Sequence, residues 1–283
     1  DVYKRQNYTE AGYMAQDGCD GDITDRVTVS GDVDTSTAGS YILTYEVKDS
    51  SGNEASMQRT VRVYAPVQVN TVDPGNKVVY LTFDDGPGPY TAQLLDVLDK
   101  YNVKATFFVT NTRPDYRTMI AEEAKRGHTV AIHSASHVYS QIYQSEDAYF
   151  ADLEEMNQII IEQTGQGAQI IRFPGGSSNT VSAKYSRGIM SRLVKDVEAR
   201  GFLYCDWNVS SGDAGSRPIS TQQVVQNVTE GMQKNNVSIV LQHDIKEFSV
   251  NAVEQIIQWG LAEGYTFLPL STSSPMSHHG VNN

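Results

Sequence analysis

Two adjacent carboxylates, Asp84 and Asp85, directly follow an apolar stretch of the chain and directly precede a Gly-Pro pair. Residues 78–83 are β-branched, aromatic or aliphatic, which predicts a strand buried on both faces. The Gly-Pro pair would end that strand and leave the carboxylates at its carboxyl end, where parallel α/β folds carry reactive groups. Neighbouring negative charges repel each other, and a bound cation relieves the repulsion. A plain Asp-Asp-Gly-Pro surface turn is the alternative.

A second pair of potential ligands, His133 and His137, follows another predicted strand. Histidines four positions apart fall on one face of a helical turn, so both imidazoles reach one ion. Together with one carboxylate from the aspartate pair, they leave an open coordination position, as in a catalytic zinc-type site. Two unrelated core or surface histidines would give the same spacing. We favour the metal site because both groups follow strand ends.

The elements that must position these groups alternate between strand and helix from residue 77 onward. The alternation predicts a distorted parallel (β/α) barrel, closed or nearly closed. A doubly wound open sheet is the alternative, but the chain has no GxGxxG or GxxxxGKS/T phosphate loop. Thr91 is the predicted N-cap of the first helix. We predict strands over 78–83, 105–109, 128–132, 170–173, 203–207, 238–241 and 266–268, and helices over 91–101, 115–126, 147–164, 185–200, 221–234 and 251–264.

The first 66 residues differ from the rest because short stretches alternate apolar and polar residues. These stretches and the turn residues between them predict a small β-sandwich. We predict strands over 27–29, 41–47 and 59–64, and turns at 37–40 and 51–53. For residues 1–6 we predict no structure. Residues 67–76 contain Pro and Gly and would link this domain to a second one over 77–283.

Residues 20–63 resemble the Ig-like repeats that bacterial surface proteins carry before an enzyme domain. The resemblance implies a further strand upstream, so the module over residues 1–66 would be incomplete. Its aspartates could bind calcium, but isolated Asp-Gly pairs are more often plain turns, which is the interpretation we favour.

Composition excludes several classes of protein. With 39% hydrophobic and 20% charged residues, the 283-residue chain is typical of a globular protein of one or two domains. A net charge of -12 argues against nucleic acid or an anionic membrane as the main partner. No stretch approaches the roughly 20 apolar residues of a membrane span. We expect Cys19 and Cys205 to be unpaired thiols. The chain begins without Met or a signal peptide, so we expect a mature fragment.

Five motifs, each at a predicted strand end, together resemble the polysaccharide deacetylase family (NodB homology, carbohydrate esterase family 4 type). The resemblance covers residues 77–270. The motifs are Thr82–Pro87 (TFDDGP), His133–His137 (HSASH), Arg172–Gly176 (RFPGG), Asp206-Trp207 with Asp213, and Leu241–His243 (LQH). One departure concerns the third motif, where many members carry an aromatic residue after the proline and this chain has Gly175.

The resemblance implies a role for each catalytic group. Asp84 would be the general base that deprotonates the attacking water, and Arg172 would pair with it. His243 would be the general acid that protonates the leaving amine. Asp213 would hold the His243 imidazole charged and oriented. For Arg172 an ordinary surface ion pair is the alternative.

The resemblance also implies a divalent metal held by Asp85, His133 and His137. Zinc is the expected ion, with cobalt or nickel as alternatives. The backbone N–H of Gly175 would hold the oxyanion. Trp207 and Leu241 would line a pocket for the acetyl methyl group. The alternative is that both are ordinary core residues.

Three further groups are expected to lie outside the chemistry. Asp206 would only cap its loop, and His128 would be structural. His278-His279 would belong to a solvated tail.

The sequence therefore predicts a bacterial cell-surface, cell-wall or extracellular enzyme that removes N-acetyl groups from a polysaccharide. Because the Ig-like module suggests work on the cell's own wall, peptidoglycan N-acetylglucosamine is the expected substrate. A chitin or chitooligosaccharide deacetylase and an O-acetyl xylan esterase are the enzymatic alternatives. A non-catalytic surface glycan-binding module is the alternative from another class. A phosphoryl-transfer enzyme would favour oxygen ligands over two histidines. We expect a monomer.

Overall fold

The structure of the protein, a computed structural model, describes residues 2–3, 8–65, 70–215, 217 and 219–283. The chain forms two compact units, Asp1–Pro66 with Ala199–Gly201, and Val67–Glu198 with Phe202–Asn283. Residues 67–69 of the predicted linker lie outside the described residues, as do residues 1 and 4–6. No helix in the described ranges is long and apolar enough to cross a membrane. Both cysteines are free thiols, as predicted; Cys19 is exposed and Cys205 is buried.

The first unit consists of two small sheets. Its strands are β1 (Val2–Tyr3), β2 (Gln16–Asp17), β3 (Gly21–Asp22), β4 (Thr28–Ser30), β5 (Gly39–Lys48) and β6 (Glu54–Tyr64). One sheet has the order β1-β6-β5-β4, and β2 pairs with β3. The β5–β6 hairpin is antiparallel from Gly39↔Val63 to Lys48↔Glu54 and turns at the predicted 51–53.

Two details of this unit differ from the prediction. The turn predicted at 37–40 is wrong in its second half, because β5 already begins at Gly39. Val2 and Tyr3, for which no structure was predicted, form a strand that pairs parallel with the end of β6. Asp22 accepts a hydrogen bond from the Thr24 N–H at 2.9 Å, which is typical of a turn aspartate, and Asp20 accepts from Ser50 and Arg26.

The second unit alternates strands and helices as predicted. Its strands are β7 (Val78–Asp84), β8 (Thr106–Thr110), β9 (Thr129–Ser134), β10 (Ile170–Ile171), β11 (Leu203–Tyr204), β12 (Val209–Ser210), β13 (Val237–His243) and β14 (Thr266–Phe267). Its helices are α1 (Thr91–Lys100), α2 (Met119–Lys125), α3 (Tyr139–Ile142), α4 (Glu146–Thr164), α5 (Ile189–Ala199), α6 (Thr221–Lys234) and α7 (Glu247–Ala262).

These strands form one parallel sheet, which confirms the distorted barrel. The order is β11-β10-β9-β8-β7-β13-β12, and β14 pairs with β7. The two edge strands, β11 and β12, are consecutive in the chain and separated by residues 205–208. The predicted strand over 203–207 is therefore short and is followed by a second piece that pairs with the opposite edge.

Several helix boundaries differ from the predicted ones. The N-cap of α1 is Tyr90, so Thr91 is the first helical residue, and its hydroxyl accepts a hydrogen bond from the Gly88 N–H. The helix predicted over 115–126 is a 3-10 turn at Pro114–Tyr116 followed by α2. The helix predicted from 185 begins only at Ile189, after the left-handed Gly188.

The sheet register brings the reactive strand ends together. Every residue of β7 is buried. β7 pairs with β13 along its whole length, and the last pair in the register is Asp84↔His243. On the other side of the sheet, Ile132 of β9 pairs with Ile171 of β10, so the residues that follow them are also neighbours. Parallel strands end at one edge of a sheet, and the candidate site lies there.

Candidate active site

Asp84, the last residue of β7, is almost fully buried and forms an ion pair with Arg172. The Arg172 side chain has no exposed surface, so the surface ion-pair alternative is wrong. Its guanidinium carbon lies 4.0 Å from the centroid of the Phe108 ring. The guanidinium donates to four acceptors: Thr82 Oγ1 at 2.6 Å, Asp84 Oδ1 at 2.8 Å, the Cys205 carbonyl at 2.8 Å and the Asp206 carbonyl at 2.9 Å. These bonds fix Asp84 Oδ1 and leave Oδ2 facing the site.

Asp85, His133 and His137 form a group that could hold a metal ion. Asp85 Oδ1 lies 3.5 Å from His133 Nε2 and 3.4 Å from His137 Nε2. The three ligand atoms lie within 4.8 Å of one another. Within the described ranges, Asp85 Oδ1 is buried without a hydrogen-bond partner. A buried, unpaired carboxylate oxygen that faces two imidazole nitrogens fits a bound cation.

The chemistry of this donor set also fits a metal. His133 Nδ1 lies 2.7 Å from the Arg172 carbonyl, to which its N–H form would donate, leaving Nε2 as the free ligand atom. Burial raises the pKa of Asp85, but His133, His243 and His137 outweigh it, so the pKa falls below its ordinary value. Burial and the neighbouring His133 lower the pKa of His137. An ionised carboxylate and a neutral imidazole are the forms that bind metal.

The two histidines do not share a helical turn, so that part of the prediction is wrong. His133 belongs to β9, and the chain bends at residues 135–136 before it reaches His137, whose φ is +54°. The two rings are still 5.0 Å apart between centroids. An extended strand would hold residues four positions apart too far from each other to reach one ion. The bend after β9 is therefore what brings the two rings together.

The carboxylate of Asp152, on α4, holds this bend. It accepts from Ser134 Oγ at 2.6 Å, from the Ala135 N–H at 2.8 Å and from the Ser136 N–H at 2.8 Å. Ser134 Oγ in turn accepts from the His137 N–H at 2.8 Å. Sequence reasoning missed Asp152 because an acidic residue on an amphipathic helix normally marks the solvated face.

His243, the last residue of β13, is held by Asp213. His243 Nδ1 lies 2.8 Å from Asp213 Oδ1, and Asp213 Oδ2 accepts from the His243 N–H at 2.8 Å and from Ser249 Oγ at 2.6 Å. Burial lowers the pKa of His243, but the hydrogen bond and charge of Asp213 outweigh it and raise the pKa. His243 Nε2 lies 3.9 Å from Asp85 Oδ2 and therefore points at the ligand group.

The loop after β10 places a free backbone donor near these groups. Gly175 and Gly176 both have left-handed φ values, +79° and +78°. Within the described ranges the Gly175 N–H donates no hydrogen bond to a backbone carbonyl. A Cβ on Gly176 would lie 3.0 Å from the Trp207 ring, so the loop packs directly against that partly buried indole. Leu241, on β13, is buried.

Asp206 and the C-terminal residues do more than sequence reasoning predicts. The Asp206 carboxylate accepts hydrogen bonds from Ser177 N–H at 2.9 Å and from His279 N–H at 2.8 Å. His279 Nε2 lies 2.6 Å from the Trp207 carbonyl. The His278 ring stacks on Tyr204 with centroids 3.9 Å apart. The prediction of a solvated tail is therefore wrong, and these residues tie the glycine loop to the Trp207 segment.

His128 remains outside the site, as predicted. It is buried, its Nδ1 accepts from the Ala105 N–H at 3.1 Å, and burial lowers its pKa to about 4.

Comparison with known proteins gives two family matches. The model of the polysaccharide deacetylase family matches residues 71–190. The model of the Ig-like domain of bacterial surface proteins matches residues 2–63. A peptidoglycan-N-acetylglucosamine deacetylase of Bacillus cereus is 33% identical over 196 residues, which cover 68% of this chain and 68% of that protein.

Solved structures of deacetylases are also similar to this chain. The catalytic domain of a peptidoglycan N-acetylglucosamine deacetylase from Eubacterium rectale is 78% identical, with a TM-score of 0.76. The match covers 76% of this chain and 98% of that domain. The polysaccharide deacetylase Bc1974 from Bacillus cereus is 32% identical, with a TM-score of 0.61, over 73% of this chain and 96% of that one.

Proposed function

Because the chain belongs to the polysaccharide deacetylase family, we propose that it hydrolyses the N-acetyl group of N-acetylglucosamine in peptidoglycan. One observation carries the proposal. A carboxylate held by a buried arginine and an imidazole held by a buried carboxylate stand at paired ends of β7 and β13, Asp84 and His243. These two groups would serve as a base and an acid beside one ligand group, which glycan binding alone would not require. The names of similar proteins from Bacillus cereus and Eubacterium rectale support peptidoglycan as the substrate.

The proposed reaction uses Asp84 as the general base. Its Oδ2 does not bond to Arg172 and lies 3.9 Å from His133 Nε2, so it is available to accept a proton from water. The water oxygen forms a bond to the acetyl carbon as its proton passes to Asp84. The Gly175 N–H donates to the carbonyl oxygen as that oxygen gains negative charge.

His243 completes the reaction as the general acid. Its raised pKa favours the imidazolium form, from which Nε2 gives a proton to the leaving nitrogen as the C–N bond breaks. The products are acetate and the free amine of the sugar. Trp207 and Leu241 would contact the acetyl methyl group.

We also propose a divalent metal at Asp85, His133 and His137. A bound ion would polarise the acetyl carbonyl and lower the pKa of the attacking water. Two imidazole nitrogens and one carboxylate oxygen favour zinc, with cobalt or nickel as alternatives, over magnesium.

The organisation of the protein is part of the proposal. An Ig-like domain over residues 1–66 and a linker over 67–76 would precede the deacetylase domain over 77–283. The match to bacterial surface Ig-like domains supports a cell-wall or extracellular location. We propose a monomer.

Acetate release tests this function directly. We would incubate chelated protein and protein reloaded with zinc or cobalt with purified peptidoglycan, N-acetylglucosamine oligomers and acetylated xylan. The proposal expects metal-dependent acetate release, with peptidoglycan preferred, and its loss in Asp84→Asn. Release only from the oligomers or only from xylan would instead assign a chitin-type deacetylase or an O-acetyl esterase. Glycan binding without acetate release from metal-loaded protein would assign a binding module and overturn the enzyme.

A further inference from the structure

The side chain of Tyr139 borders the site, and the proposed reaction leaves it without a role. Tyr139 is the first residue of α3, two positions after His137. Its ring centroid lies 5.6 Å from that of His137 and 5.5 Å from that of Tyr143, which it meets edge-on. Rings packed on two sides hold the tyrosine in place, so the position of its hydroxyl is well defined.

Gly175 shows where that hydroxyl lies. A Cβ built on Gly175 would come within 2.6 Å of Tyr139 Oη and 3.1 Å of the Asn179 Cβ. The Tyr139 hydroxyl therefore occupies the space over the loop that a side chain at position 175 would otherwise fill. It lies on the side-chain side of Gly175, so it flanks the backbone N–H that we propose as the oxyanion donor and does not duplicate it.

The hydroxyl is a donor without a protein acceptor. Tyr143 Oη donates to the Pro174 carbonyl at 2.8 Å, whereas Tyr139 Oη has no hydrogen-bond partner in the part of the chain that the structure describes. The Tyr139 side chain is only partly buried and thus accessible to a ligand.

We propose that the Tyr139 hydroxyl donates a hydrogen bond to an oxygen of the sugar ring or of its hydroxyl groups in the acetylated residue. Tyr139 would thereby hold the sugar while the acetyl group is cleaved. This inference rests on the proposed function, because it assumes an acetylated sugar in the site. A neutral hydrogen bond of this kind changes binding by roughly two- to tenfold.

Tyr139→Phe in the full metal-loaded chain tests the inference, because phenylalanine keeps the ring contacts and removes only the hydroxyl. Two substrates separate the sugar from the acetyl group: an N-acetylglucosamine oligomer, and 4-nitrophenyl acetate, which carries an acetyl group without a sugar. We expect KM for the oligomer to rise about two- to tenfold, with kcat nearly unchanged and the aryl acetate kinetics unaffected. Tyr149→Phe, a buried tyrosine of the same aromatic run, is the matched control and should leave both substrates unaffected.

Binding supplies a readout that does not depend on turnover. The oligomer Kd of Asp84→Asn would be compared with that of Asp84→Asn/Tyr139→Phe, and we expect a weakening by the same factor. Equal losses on both substrates would place the hydroxyl on the acyl group, and no loss on either would leave it a packing residue; both results overturn the inference. No acetate release from the oligomer by the wild-type protein would overturn the proposed function instead.

Discussion

Replacement of Arg172 by methionine should be among the most destabilising single changes at this site. Arg172 and Asp84 have side-chain exposures of 0% and 4%, so solvent screens their charges very little. Methionine fills much of the same volume but leaves Asp84 as a buried, unpaired charge and removes the donors to three neutral acceptors. Removing one partner of a buried ion pair costs about 3–5 kcal/mol. We expect the free energy of unfolding to fall by about that amount.

Urea unfolding followed by tryptophan fluorescence measures this change in the relevant unit, because both tryptophans, Trp207 and Trp259, belong to the second unit. Arg126→Met is the matched control: its salt bridges to Asp96 and Asp99 are partly exposed, and its loss should cost less than about 1 kcal/mol. All variants would be compared as chelated proteins, so that metal binding does not add to stability.

A double-mutant comparison decides whether the unpaired charge is the cause. Adding Asp84→Asn to Arg172→Met removes that charge, and we expect it to restore at least about 1 kcal/mol. If the double variant is no more stable than Arg172→Met, the loss comes from the cavity and the unpaired carbonyls, and the reasoning from the ion pair is refuted.

Three further predictions follow from other contacts at the site. Asp213→Asn removes the charge that raises the pKa of His243; because the acid form must be present, activity falls as pH rises through that pKa, and the high-pH limb of the kcat/KM profile should move to lower pH. An unmoved limb would exclude His243 as the acid. Gly86→Ala would place a Cβ in steric conflict with the Asp244 carboxylate, and we expect a loss of about 1–3 kcal/mol in the urea experiment, which an unchanged midpoint would contradict. Asp152→Asn loses an acceptor for the bend between the histidines, and calorimetric zinc affinity should fall about tenfold or more; unchanged affinity would show that the bend holds without it.

The sequence predicted the architecture well because the relevant signals are local. The apolar run before Asp84 identifies β7, and strand–helix alternation identifies the barrel. Strand order then follows from the fold class, and the shared carboxyl edge places Asp84, His133 and His243 together. Boundaries were less accurate where one residue changes the backbone, as at Gly188 before α5. The break between β11 and β12 has no local signal, because it results from pairing with two different strands.

The residues that hold the catalytic motifs in position were not predicted from the sequence, for one physical reason. Asp152, Ser249 and His279 lie on helices or in a terminal segment, where polar residues usually face water, and their partners are distant in the chain. Nothing in the local pattern distinguishes a solvated aspartate from one that accepts three hydrogen bonds from a loop. Each of the three nevertheless fixes a group that the motifs do contain: the histidine bend, the Asp213 carboxylate and the Trp207 segment. Because the motifs contain the proposed reacting groups and these distant residues set their geometry, substitutions at the distant positions should alter metal affinity and pH dependence while leaving every motif residue in place.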